Sequence, residues 1–160
     1  MNIVGVTSAT DNIRACWSTR QKAAMALTGT EIALGSGVSL CVAVYVADIM
    51  EQAARDVRAS INGYYKFAVG ARPSGWDRTS FLNVGEELTA QTRDSDWFDF
   101  LSSRDLIWLG TPDHVAENIE QYRTDLGLDH LMLLQQFPGM PFEKILVNLS
   151  RFGEHVAPRF

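Results

Sequence analysis

The clearest alternation of apolar and polar positions lies in the last third of the chain. Ile107-Trp108-Leu109-Gly110 is a short apolar run, Thr111-Pro112 punctuates it, and Val115, Ile119, Tyr122 and Leu126 then recur at helical spacing up to Gly127. Asp129 to Gln136 is a second apolar run. The order is strand, helix, strand. Thr111 reads as the helix cap, Pro112 sits in the first turn where a missing N–H costs nothing, and Gly127 is the stop. Phe142, Ile145, Leu149, Phe152 and Val156 mark one more helix.

The first half repeats the theme. Asn2 to Val6 reads as a short strand, followed by the hydroxyl-rich loop Thr7-Ser8-Ala9-Thr10-Asp11. Ile13, Trp17, Ala24 and Leu27 fall on one helical face, with Thr10 or Asp11 as the cap. Thr28 to Gly37 is a loop. Val38 to Ala47 is apolar on both faces, as buried parallel strands are. Asp48, with Glu51 three residues on in capping-box spacing, opens the next helix. Its stripe is Met50, Ala54, Val57, Ile61, Tyr64 and Ala68, and Gly70 and Pro73 end it.

Regularity fails between about 70 and 104. This stretch is polar, with isolated aromatics at Trp76, Phe81, Trp97, Phe98 and Phe100, and some helix between Glu86 and Leu101. It reads as an insertion or lid within one domain spanning 1–160, or as a surface excursion that tucks its aromatics onto the core.

Counted out, the chain is four strand–helix units. Right-handed crossovers would set the strands side by side, parallel and in chain order, with helices over the outer face. Two α/β architectures are built this way: an open doubly wound sheet, and the (βα)8 TIM-type barrel, of which four consecutive βα units are the second half. Both bind ligands at the carboxyl ends of the strands, here Thr7–Thr10, Ala47–Asp48, Gly110–Thr111 and Gln135–Gly139. A half-barrel would open two sheet edges and an apolar inner face, which implies self-association or pairing with a complementary half.

Composition narrows the partners. Apolar residues are 46% and charged residues 21%, values of an ordered globular chain. A net charge of −5 argues against nucleic acid or an anionic membrane as the main partner. The longest apolar run, Val38–Ala47, is half of the ~20 residues a membrane helix needs, and no basic-then-apolar signal opens the chain, so a cytoplasmic protein is expected. Cys16 and Cys41 read as free thiols.

Chemistry is sparse. Gly35-Ser36-Gly37 lacks the third glycine of a dinucleotide fingerprint and precedes a strand, and no Walker loop is present. His114, His130 and His155 lie on three different elements, and the cysteines are not at ligand spacing, so no metal site is expected. His114 reads as solvated and His130 as structural. No nucleophile–base pair emerges, and the catalytic residues stay unassigned. Two loops could hold an anion through N–H groups at a helix start: Thr7, Ser8 and Thr10 in one, Gly110 and Thr111 in the other, with ordinary capping as the competing reading. Gln135 and Gln136 end an apolar strand; a buried amide needs partners, and a cofactor's polar edge is one candidate.

At these residues a resemblance enters. Val44-Tyr45-Val46-Ala47-Asp48 followed by Glu51-Gln52-Ala53 resembles a recurring segment of the bacterial luciferase-like flavin-dependent monooxygenases. So do Leu109-Gly110-Thr111-Pro112-Asp113-His114-Val115-Ala116-Glu117 with Gly127-Leu128-Asp129-His130, and the closing run from Gly139-Met140-Pro141-Phe142 through Phe152, Glu154 and Val156 to Pro158-Arg159-Phe160. The likeness covers roughly Val38–Ala68 and Leu106–Phe160. It implies a (βα)8 barrel that binds reduced FMN supplied by a flavin reductase, or a deazaflavin in some branches. Such an enzyme inserts one oxygen atom of O2 into a small organic substrate. It further implies that this chain is the C-terminal portion, with most of the family's flavin-binding and catalytic positions outside it. The cofactor contacts expected here are Thr7, Ser8, Thr10, Gly110, Thr111 and Gln135. The competing readings are a non-catalytic flavin-binding module and an unrelated open-sheet protein that binds a phosphorylated small molecule.

Overall fold

A computed structural model describes residues 2–4, 9–70, 78–82 and 86–160. The elements are β1 (Asn2–Val4), α1 (Ala9–Thr28), β2 (Ser39–Val46), α2 (Met50–Gly70), α3 (Ala90–Asp94), α4 (Trp97–Ser102), β3 (Ile107–Gly110), α5 (Pro112–Leu126), β4 (His130–Leu134) and α6 (Phe142–Arg151). After α6 the chain continues through a wider turn, Phe152–Val156. Thr7, Ser8 and Trp76 lie outside the described residues.

The strands are parallel, as expected, but they do not pair in chain order. β2 is the hub. Ser39–Cys41 pair with both β1 and β4, and Ala43 pairs with both Ile107 of β3 and Leu134 of β4. β4 therefore takes one edge of β2, while β1 and β3 share the other, end to end. The expected β3–β4 neighbourhood is replaced by β4 on β2. The reason is visible in β2 itself: it is the longest strand, nearly all buried, and an eight-residue apolar strand cannot leave either edge to water.

Reversing the direction of travel also moves a helix. A right-handed crossover from β2 to β3 and another from β3 to β4 run opposite ways, which puts α2 and α5 on opposite faces. The core divides accordingly. Ala43, Tyr45 and Ala47 pack with Ala53, Val57 and Ile61 of α2, with Phe98 and Phe100 of α4, and with Ile145 of α6. Leu40, Val42, Val44 and Val46 pack with Val115, Ile119 and Leu126 of α5. The apolar inner face expected to lie open is thus covered by α5, because four strands cannot close on themselves and the second face of β2 is as apolar as the first.

Three local expectations shift. The helix after β1 starts at Ala9, so Thr10 and Asp11 lie inside its first turn and do not cap it. Its far end overhangs: Leu27 is 84% exposed. The contacts of α1 lie further back, where Trp17 Nε1 donates to Ala33 O (2.9 Å) and Ile32 N–H donates to Gln21 (2.8 Å). Asp48 does not cap α2, which begins two residues later; its carboxylate pairs with Arg151 at 2.6 Å. The buried stripe of α2 is Ala53, Val57 and Ile61, while Met50 and Tyr64 stay partly exposed. Both stripes share Val57 and Ile61, and helical periodicity alone does not fix the rotation at the ends.

The irregular stretch packs inward. Phe81, Phe98, Phe100 and Leu101 are buried in the core, and Trp97 stacks on Tyr65 at 5.5 Å. Arg58 of α2 holds Asp96 (2.6 Å) and Asp99 (2.6 Å) of α4 and lies 4.3 Å over the Phe98 ring. Asp96 also caps α4 by accepting from Asp99 N–H (2.8 Å).

Candidate functional site

The carboxyl ends of three strands form one rim. Ala47 N–H, following β2, donates to Gly110 O of β3 at 2.8 Å, and Gln135 follows β4 on the opposite flank of β2. β1 does not reach this rim. Its last residue pairs with Cys41, midway along β2, and β3 occupies the same edge beyond it. Of the expected cofactor contacts, Gly110, Thr111 and Gln135 therefore share the rim. Thr10 sits in the first turn of α1, after the lower-lying β1, and Thr7 and Ser8 are outside the described residues.

Gly110 is a glycine for its backbone conformation, the side-chain ends beside it being free to shift. Its φ is 138°, and a Cβ there would stand 2.8 Å from Met50 Cε and 3.4 Å from His114 Cδ2. The next residue, Thr111, caps α5, its hydroxyl accepting from His114 N–H at 3.3 Å. Gly127 closes the helix in the left-handed conformation at φ 61°. Replacing Thr111 with alanine is expected to cost about 1 kcal/mol in urea unfolding; an unchanged midpoint would show that the long hydroxyl bond contributes nothing.

The rim between β2 and β4 is closed by Asn148 of α6. This side chain is fully buried. Its Oδ1 accepts from Val46 N–H (2.8 Å), and its Nδ2 donates to Val44 O (3.3 Å) and Gln135 O (3.1 Å). The amide continues the edge pairing of β2 where β4 has ended. The Gln135 side chain is left with a buried Oε1 that has no partner among the described residues.

Beside Gly110 lies a cavity of 240 Å³ lined by Met50, Ala54, Phe98, Ser102, Asp105, Ile107, Leu109, His114 and Asn118. His114 is half-buried here and not solvated as expected, its Nε2 3.3 Å from Asn118 Nδ2. The signal available in sequence was His114 and Asn118 one helical turn apart. On the α2–α6 side, Tyr45 donates to Asp56 Oδ2 (3.1 Å) and Lys144 pairs with the same carboxylate. Burial, and then the Asp56 charge, push the Tyr45 hydroxyl up to about 12, so it stays a donor. A larger groove of 570 Å³ opens beside Gly127–Asp129, near the start of β4, and touches none of the rim residues. Among the described residues no group of three or more His, Cys, Asp or Glu side chains could hold a metal ion, and no helix is long and apolar enough to cross a membrane.

No protein-family model matches the chain, and no curated protein matches its sequence. Solved structures do. The chain is similar to the oxygenating constituent of 3,6-diketocamphane monooxygenase from the CAM plasmid of Pseudomonas putida, a type II Baeyer-Villiger monooxygenase in complex with FMN. The TM-score is 0.67 and the identity 20%, over 99% of this chain and 42% of that one. It is similar also to the monooxygenase RslO1 from Streptomyces bottropensis, with a TM-score of 0.62 and 19% identity, over 94% of this chain and 39% of that one. At such identities the likeness is one of fold. The chain spans about two fifths of the length of each.

Proposed function

We propose that this chain is the C-terminal portion of a luciferase-like, flavin-dependent monooxygenase that uses reduced FMN and O2 on a small organic substrate. The observation that carries the reading is the fold likeness to an FMN-bound monooxygenase over 99% of the chain. The polar ends of a flavin find matching groups. The start of α5 offers a phosphate the Thr111 hydroxyl and the positive end of the helix, since Pro112 has no N–H and those of His114 and Val115 are taken by Thr111, and the buried Gln135 Oε1 suits a ring N–H. The ring body finds less. The cavity beside Gly110 holds 240 Å³, below the ~300 Å³ at which ligand pockets of this kind begin. The reading therefore includes a complementary half, contributed by another stretch of polypeptide, that completes both the pocket and a (βα)8 barrel. Joined to it, the barrel order would carry β4 from β2 to the free edge of β3. Reduced flavin would supply the electrons for oxygen activation; these residues would bind, orient and shield it.

One observation favours a second reading. α2 and α5 leave adjacent strands toward opposite faces, and in open sheets that crevice binds ligands. An open-sheet protein for a phosphorylated small molecule would use the same Thr111 terminus.

Titration with FMN, riboflavin and ribose 5-phosphate, followed by flavin fluorescence and calorimetry, separates the two. The monooxygenase reading expects FMN and riboflavin to bind, FMN more tightly, and ribose 5-phosphate to bind at least tenfold more weakly than FMN. Equal affinity for FMN and ribose 5-phosphate would favour the open-sheet reading; no binding of any of them would sink the open-sheet reading, and would sink the monooxygenase reading if it persisted once the complementary half is supplied. Substrate-dependent oxygen uptake with FMN, a flavin reductase and NADH then distinguishes an enzyme from a non-catalytic flavin-binding module.

A further inference from the structure

We infer that the outer flank of α6 is a docking surface for one amphipathic helix of another protein, a helix whose own flank is basic. α6 carries its polar groups inward. Asn148 is fully buried, and Lys144 and Arg151 reach Asp56 and Asp48. Of its large apolar side chains only Ile145 is buried, while Phe142, Leu146, Val147 and Leu149 stand 44% to 67% exposed. Phe142, Leu146 and Leu149 follow one another in steps of four and three, which sets them on one stripe. A soluble helix normally turns such a stripe to the core. Together these side chains leave on the order of 300 Å² of apolar surface open, the size at which a patch on a monomer marks an interaction site. The stripe runs on to Gly153, a further step of four, where a Cβ would meet nothing within 4 Å. That opening is a notch for a large side chain of the partner. The surface lies on a helix, apart from the sheet edges to which a complementary half would bond, so the inference does not rest on the proposed activity.

Charge decides the occupant. The residues that follow the stripe positions one by one are Glu143, Val147, Ser150 and Glu154, and all four are exposed. This flank therefore carries an acid at each end. The two cations of α6 itself are engaged by Asp56 and Asp48, and Glu154 lies 3.9 Å from His155, at the long limit of an ion pair. A second copy of this chain matches the spacing, since steps of four, three and four read alike in both directions. It fails on charge. Antiparallel pairing of two stripes sets Glu143 of one copy against Glu154 of the other, and parallel pairing sets each acid against itself. An anionic membrane is repelled by the same acids and by the net charge of −5. A helix with leucine-sized residues at matching spacing, and lysine or arginine beside them, satisfies both the stripe and its flank.

The test uses the full chain and two peptides of about 20 residues, long enough to be helical. Both carry leucines at the stripe spacing; one has lysines beside them and the other glutamates. Fluorescence anisotropy gives the affinities, and amide shifts of isotope-labelled protein give the place. The lysine peptide is expected to bind with a Kd of about 100 μM or tighter, shifting the amides of Phe142 to Glu154, and the glutamate peptide about tenfold more weakly. Leu146→Ser should weaken the lysine peptide about tenfold. Glu143→Lys together with Glu154→Lys should reverse the preference between the peptides. Sedimentation of the chain alone and flotation with phosphatidylglycerol vesicles test the other occupants. Self-association or vesicle binding that Leu146→Ser abolishes would overturn the assignment, as would absence of peptide binding, equal affinity for the two peptides, or shifts centred elsewhere. Circular dichroism checks that the variants are folded. If Leu146→Ser is not, the charge-reversed pair decides alone.

Discussion

Replacing Asn148 with leucine is expected to lower stability by about 3 kcal/mol or more, among the largest losses available to a single substitution in this chain. The volume is nearly kept, but Val46 N–H and Val44 O lose their partner in a buried place, and Gln135 O loses its own in a part-buried one. Each buried backbone group left unpaired costs about 1–3 kcal/mol. Aspartate should be worse, because a carboxylate turns lone pairs toward Val44 O and Gln135 O, where the amide donated; acid, by protonating it, should restore part of the loss. Leu149→Ala, next in sequence but half exposed, is the control and should cost far less. Urea midpoints measure all three. A leucine variant as stable as the parent would mean that the edge of β2 is satisfied some other way.

The second large effect is expected at Gly35. A Cβ there would lie 2.2 Å from Leu126 O and 2.4 Å from Gly127 O, both backbone atoms that cannot swing aside, and φ is 75°. The approach is mutual, since a Cβ on Gly127 would meet Leu34 O at 2.3 Å. The loop before β2 and the turn between α5 and β4 touch backbone to backbone. Gly35→Ala should therefore cost about 3 kcal/mol or more. Gly29 makes the comparison fair: it has φ 67° but open space around it, so Gly29→Ala carries only the left-handed penalty of about 1–2 kcal/mol. Equal losses at the two positions would show that the close contact is not what holds Gly35.

Local signals were legible and long-range ones were not. Thr111, Pro112 and Gly127 bound α5 where the sequence places them, because caps and stops are decided within a few residues. The strand at Val38–Ala47 was plain from its unbroken apolar run. Its choice of neighbours was not, because nothing in the sequence of β4 says whether it joins β2 or β3. Asp48 looked like a cap and became an ion-pair partner of Arg151, more than a hundred positions along the chain. Asn148 reads in sequence as one polar residue on an amphipathic helix. Only its place three residues after Ile145, on the buried face, hinted that it does something inside. The place of His114 beside a cavity is hidden for the same reason: the cavity is built from α2, α4 and β3, and no window around position 114 contains them.

The hub arrangement has a consequence for how the chain reaches this state. Among the described residues β1, β3 and β4 each bond to β2 and none bonds to another. No hairpin or adjacent pair can form early and serve as a template. Every ladder must wait for β2, and the one with β4 closes a loop over more than half the chain before it is rewarded. During that interval Ser39–Ala47, which carries no charge and no proline, is an uncommitted strand of high β-propensity. The same segment that organises the folded protein is thus the one open to mispairing until β4 arrives.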